Sequence, residues 1–278
     1  MPTDAPRVGR TVDGRYRLVA ALGRGGMAAV YVAIDQVSNQ RLALKILHPN
    51  LLDNAEALGR FEREARATMR IKHPNLVQAF GHGEHGEGFR YMVLEFLEGP
   101  TLEDYAHERA PLSTSEVVQI GAAVGAALGE LHKRGVIHRD LKPSNIILQG
   151  GDPGAVKVFD LGLALHSSLT RVTSVGMRIG TPAFMAPEYI EESRCDARSD
   201  LYSLGAILFE LASGTRLFQG EGRDVLFQQV ETEAPLLEER TPGLHPDGLS
   251  DLLARMLHKD PHVRPQHAQE VIEALQAL

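Results

Sequence analysis

The apolar residues of this chain change their period near residue 98, and that change restricts the folds open to it. Upstream, runs at 16–22, 29–34, 41–47, 76–80 and 91–96 are rich in Val, Ile, Leu and aromatics and are separated by turn residues, the pattern of strands. One helical pattern, over 56–71, interrupts them. Downstream, helical spacing takes over. Ser113 with Glu116 makes a capping box, and Val117, Ile120, Val124, Leu128 and Leu131 recur three or four residues apart until Gly135 ends the helix. The expectation is an α+β chain. A small antiparallel sheet with one main helix occupies 14–98 and is joined through Glu98 and Gly99 to a larger helical part over 99–278. Residues 1–13 are expected to be a mobile lead-in, because Met1 to Arg10 lack the apolar core of a secretory signal.

Composition removes several function classes. With 43% hydrophobic and 23% charged residues the chain is ordinary for a globular enzyme, and its net charge of −7 argues against nucleic acid or an anionic membrane surface as the partner. The most apolar stretches, 120–131 and 201–212, are shorter than the roughly 20 residues a membrane span needs. The single cysteine, Cys195, allows no internal disulfide, which fits a reducing compartment and a cytoplasmic location. His82 with His85, and His262 with His267, lack the further ligands a zinc site requires. Met69, Met256 and Leu257 fall at helical positions expected in the core.

Four segments carry chemistry. Leu22-Gly23-Arg24-Gly25-Gly26-Met27-Ala28-Ala29-Val30 lies between two expected strands, where glycines let backbone N–H groups approach phosphates. Lys45 ends the run Leu42-Ala43-Leu44, and a lysine in so apolar a strand is costly unless it meets an anion. Glu64, on the helix that follows, is a carboxylate able to hold it. The third segment is His138-Arg139-Asp140-Leu141-Lys142-Pro143-Ser144-Asn145, which places an acid, a cation and an amide within six residues ahead of an apolar run. The fourth is Asp160-Leu161-Gly162, after the apolar 156–159 run. Asn and Asp are oxygen donors suited to Mg²⁺.

In order, spacing and identity these segments resemble the eukaryotic-type (Hanks-type) Ser/Thr protein kinase family over residues 14–272, most closely its bacterial members. The resemblance adds Ala186-Pro187-Glu188, Asp200 with Gly205, and Arg264. It implies a bilobal kinase fold and transfer of the γ-phosphate of Mg-ATP to Ser or Thr hydroxyls of proteins, with Mn²⁺ as a substitute metal. Residue by residue, it implies that Asp140 accepts the acceptor hydroxyl's proton, Lys142 steadies the γ-phosphate, and Asn145 and Asp160 hold the metal. Lys45, paired with Glu64, grips the α- and β-phosphates under the Leu22, Gly23 and Gly25 loop. The adenine edge bonds backbone groups of Glu95 and Leu97, with Leu94 behind it and Val30, Ala43 and Ile147 around the ring. Lys142-Pro143 and Gly180-Thr181-Pro182 resemble the Ser/Thr branch, where Thr181 bridges Asp140 and Lys142. In the same family Glu188 and Arg264 form a structural ion pair.

The chain departs from the family pattern at Ala28, where a glycine is usual, at Leu161 in place of Phe, and at Thr68 and Ala79, which are small. The implied partners are ATP, protein substrates and, transiently, a second copy for phosphorylation in trans. The acceptors in that case are Thr173 and Ser174, then Thr170, in a cluster with Ser167 and Ser168, and Arg139 is placed to pair with the phosphate. A nucleotide-binding pseudokinase scaffold is the alternative; such a chain typically lacks Lys45, Asp140 or Asp160.

Overall fold

The computed structural model describes residues 8–85, 89–161 and 182–278. Two units divide between Leu97 and Glu98. In the first, six strands make one antiparallel sheet in the order β1-β2-β3-β4-β6-β5: β1 Thr11–Val12, β2 Tyr16–Arg24, β3 Ala28–Asp35, β4 Arg41–Leu47, β5 Ala79–His85 and β6 Phe89–Glu95. The two-residue period of β4 sends Leu42, Leu44 and Ile46 into a core shared with Leu18, Tyr31 and Val93. It sends Leu47 to the other face, where Ala28, Met92 and Ala79 pack against Phe61 and Ala65 of α1, Ala55–Arg70. Asn54 starts α1 by accepting the N–H groups of Glu56 and Ala57 at 3.1 and 3.0 Å.

Three expectations are corrected. The lead-in is part of the sheet from Thr11: Thr11 pairs with Arg17, and Asp13 N–H donates to His85 Nδ1 at 2.8 Å while its carboxylate accepts the Tyr91 hydroxyl at 2.6 Å. Residues 1–7 lie outside the described residues. The fifth strand is 79–85 rather than 76–80, through glycines that weaken any strand reading. Gly83 is there for space, since a Cβ on it would sit 2.5 Å from the Tyr91 hydroxyl. Met69 is 37% exposed on the outer face of α1, whereas Met256 and Leu257 are core.

The second unit, Glu98–Leu278, holds among its described residues α2 Leu102–Arg109, α3 Thr114–Lys133, a hairpin of β7 Ile146–Leu148 with β8 Val156–Val158, α4 Pro187–Glu192, α5 Ala197–Ser213, α6 Arg223–Glu231, α7 Leu237–Arg240, α8 Asp247–Met256 and α9 Ala268–Gln276. The capping box of α3 is present: Ser113 N–H donates to Glu116 Oε2 at 3.1 Å and Glu116 N–H to Ser113 Oγ at 3.3 Å. Nearly every residue of α5 is buried, so it is the axis on which α3 and α8 pack. Gly121 of α3 permits that approach, because a Cβ there would lie 2.8 Å from Leu275 of α9 and 3.1 Å from Leu208 of α5. No described helix is long and apolar enough to cross a membrane.

Candidate functional site

In the first unit β4 carries Lys45 between Val30 of β3 and Met92 of β6, and α1 brings Glu64 to it. Lys45 Nζ donates to Glu64 Oε1 at 2.5 Å, and both side chains are at least nine-tenths buried. Charges this well removed from water persist only when paired. The glycine-rich turn is closed by Gly25 N–H to Ala28 O at 2.9 Å. His48 clamps its two ends, its N–H donating to Met27 O at 2.9 Å and its Nε2 to Gly25 O at 2.8 Å. Ala28, at the position usually held by glycine, points its methyl into the core with Leu47 and Met92. The outer surface of the turn is therefore unchanged by that methyl. Leu22 is exposed and Gly23 pairs with Val30. Ala43 pairs with Val32 and Leu94, and Leu94 packs on the α1 face. The N–H of Glu95 donates to Gln78 O at 2.9 Å, so a nucleotide does not take that N–H. Leu97, half-buried, closes the unit.

In the second unit the pairing of Ile146 with Val158 sets the residues flanking the hairpin side by side, and Phe159 N–H donates to Asn145 O at 3.0 Å. Asn145 and Asp160 thus emerge at one end of the hairpin that also carries Ile147. Lys142 Nζ donates to Asp140 Oδ2 at 2.8 Å. Asn145 Nδ2 donates to the Asp140 carbonyl at 2.8 Å and to its Oδ2 at 3.3 Å, so the buried amide spends its nitrogen on the loop and has its oxygen to offer a cation. Asp160 has a φ of 61° and Arg139 one of 68°, left-handed conformations that cost free energy unless the surroundings enforce them.

At Arg139 the enforcing group is Asp200, a residue whose anchoring role the sequence reading did not see. Its carboxylate, 1% exposed, accepts His138 N–H at 2.8 Å, Arg139 N–H at 2.9 Å and His132 Nε2–H at 2.8 Å. The available signal was an acid in the first turn of a mostly apolar helix, which demands several donors if it is buried. Glu188 and Arg264 form the expected ion pair through two bonds of 2.9 Å, with Ser199 Oγ also donating to Glu188 at 2.7 Å. Cys195 lies beside the loop, but burial first and the Asp200 charge second push its thiol up to about 12, so it is no nucleophile. Among the described residues no three His, Cys, Asp or Glu side chains cluster as metal ligands. Thr181, Gly162 and the hydroxyls at Ser167, Ser168, Thr170, Thr173 and Ser174 lie outside the described residues.

The chain matches the protein kinase domain family over residues 16–275. It is 32% identical over 265 residues to the serine/threonine-protein kinase PrkC of Bacillus subtilis, covering 95% of this chain and 40% of that protein. It is 34% identical over 279 residues to the serine/threonine-protein kinase pkn3 of Myxococcus xanthus, covering 98% and 51%. The DNA damage-responsive serine/threonine-protein kinase RqkA of Deinococcus radiodurans is 37% identical over 262 residues, covering 93% and 38%. The chain thus spans about half or less of the length of these relatives. The crystal structure of the Mycobacterium tuberculosis PknI kinase domain superposes with a TM-score of 0.74 at 26% identity, covering 98% of this chain and 99% of that one. Members of this family use ATP with a divalent metal. A match over nearly the whole chain, on a six-stranded sheet with its Lys45–Glu64 pair and a helical unit with its Asp140 loop, makes this chain a member of the protein kinase family.

Proposed function

We propose that this chain transfers the γ-phosphoryl group of Mg-ATP to Ser and Thr hydroxyls of proteins. The observation that carries the reading is the Asp140 carboxylate, bonded by Lys142 and Asn145 on a loop suspended from buried Asp200. Asp140 orients the acceptor hydroxyl and takes its proton as the oxygen bonds to the γ-phosphorus. The bond from that phosphorus to the β,γ-bridging oxygen breaks, and ADP leaves with the bond's electrons. Lys142 and Lys45 neutralise charge on the phosphates, and Glu64 keeps the Lys45 ammonium extended. The side-chain oxygens of Asn145 and Asp160 fit a hard cation that also keeps phosphate and water ligands. Mg²⁺, or Mn²⁺ in its place, supplies charge neutralisation at the phosphates. The nucleotide is read by Leu22, Gly23, Gly25, Val30, Ala43, Leu94, Ile147 and backbone groups at Glu95 and Leu97.

Selection of Ser and Thr rests on Lys142-Pro143, on Thr181 and on the names of the relatives. Lys45, Asp140 and Asp160 are all present, and nothing in the chain favours a scaffold that binds nucleotide without transfer. A second copy is the first protein substrate proposed, through the hydroxyls at Thr173 and Ser174. Arg139 Nε is buried and has no partner among the described residues, which suits a guanidinium awaiting a phosphate. A reducing, ATP-containing compartment such as the cytoplasm fits the lone thiol. The test is phosphate incorporation from labelled Mg-ATP into dephosphorylated casein. Wild-type chain is expected to transfer, and Asp160→Asn to lose at least about 100-fold in kcat with its melting temperature unchanged. No transfer by wild type overturns the kinase reading; near-wild-type turnover by Asp160→Asn overturns the metal role alone.

A further inference from the structure

Three consecutive backbone carbonyls following Thr181 are each held by a side chain of the helical unit. Gln229 Nε2, on α6, donates to Ala183 O at 2.6 Å and to Pro182 O at 3.3 Å. Ser203 Oγ, on α5, donates to Phe184 O at 2.7 Å. Gln229 is wholly buried, and its Oε1 accepts the hydroxyl of Tyr202, itself 0% exposed. With the oxygen spent on that hydroxyl, only the amide nitrogen is left to face the segment. The backbone of α6 is fixed in turn, since Lys259 Nζ donates to Gln229 O at 2.7 Å and Gln228 O at 3.3 Å.

A buried amide used only for packing is replaceable by leucine. This one directs its nitrogen at adjacent peptide units of the segment that leads to Ala186-Pro187-Glu188 and, by resemblance, docks acceptor peptides. We infer that Gln229 is a positioning residue for the protein substrate. Its amide fixes the 182–184 backbone with the carbonyls turned inward, so the acceptor is met by the segment's outward face and not by those carbonyls. Ser203 completes the hold at Phe184. This deepens the kinase reading and rests on it.

The test compares steady-state transfer to dephosphorylated casein by wild type, Gln229→Met, and the double variant Tyr202→Phe with Gln229→Leu. Methionine keeps the length of the side chain and a weak thioether acceptor for Tyr202 but removes the donor. The double variant removes both partners of the buried Tyr202–Gln229 bond and so leaves no unsatisfied hydroxyl; the groups that lose a donor are the Pro182 and Ala183 carbonyls, the contact under test. Loss of one net hydrogen bond's worth of positioning is expected to raise KM for casein about tenfold in both. KM for ATP is expected within twofold of wild type, a split that a general loss of folding would not produce. An unchanged casein KM in a folded variant overturns the assignment, as does loss of the fold in both variants, which would make Gln229 a core residue only. If wild type itself transfers nothing to casein, it is the kinase reading that has failed.

Discussion

Lys45 and Glu64 are where burial and charge oppose each other most directly. Each side chain is at most 10% exposed, and their 2.5 Å contact offsets the cost of taking both out of water. Removing Glu64 takes from the buried Lys45 ammonium the carboxylate it bonds at 2.5 Å. Glu64→Ala is expected to destabilise the chain by about 3–5 kcal/mol, read as a shift of the urea midpoint at constant slope. The double variant Lys45→Met with Glu64→Leu is expected to recover most of that loss. A Glu64→Ala loss below about 1 kcal/mol would mean water reaches the pair. Lys45 was legible in the sequence because a cation in an apolar strand is anomalous. Glu64 was legible only as one of several acids on its helix, since a charged helix face does not say which carboxylate turns inward.

At the scale of elements, α5 determines the shape of a loop sixty residues earlier in the chain. Asp200 receives both N–H groups of His138 and Arg139 and compensates the left-handed turn at Arg139. Asp200→Asn replaces one accepting oxygen by a donor and removes the charge. Bonds to a charged group contribute roughly 1.5–3 kcal/mol each, so a stability loss of about 2 kcal/mol is expected. The loop then relaxes, and kcat is expected to fall at least about tenfold with KM for ATP little changed. Melting curves and single-turnover rates check both; full kcat would show that the loop holds its own shape. Helix α3 was readable from its capping box and spacing. Strand β5 was misplaced because one of its glycines, Gly83, makes room for Tyr91, a partner eight residues away that no local pattern names.

For the molecule as a whole, rising pH adds negative charge to a chain already at −7, which weakens any compact state. Lys259 acts in the opposite sense. Burial is the main cause lowering its pKa to about 8 from 10.5; Arg264 lowers it too, and Glu233 partly offsets them. Between those values the unfolded chain binds the proton and the folded chain does not, so this residue's contribution rises with pH and is lost as pH falls through about 8. Lys259→Met shares the general repulsion but lacks the titration. The melting temperature of wild type minus that of Lys259→Met is therefore expected to increase from pH 7 to about pH 10; a flat or falling difference would mean the ammonium is solvated. By itself the sequence pointed to the protein kinase family, to the candidate residues for its chemistry and to the change from strands to helices near residue 98, because motif spacing and apolar period are local properties of the chain. Tertiary structure alone decided that residues 11–13 join the sheet, that Ala28 points inward, that Asp200 holds the Asp140 loop and that Gln229 holds the segment after Thr181. The strand pairing and the two anchors depend on which distant group a polar atom meets, and the Ala28 methyl on which face of the sheet α1 covers; those partners exist only once the chain has folded.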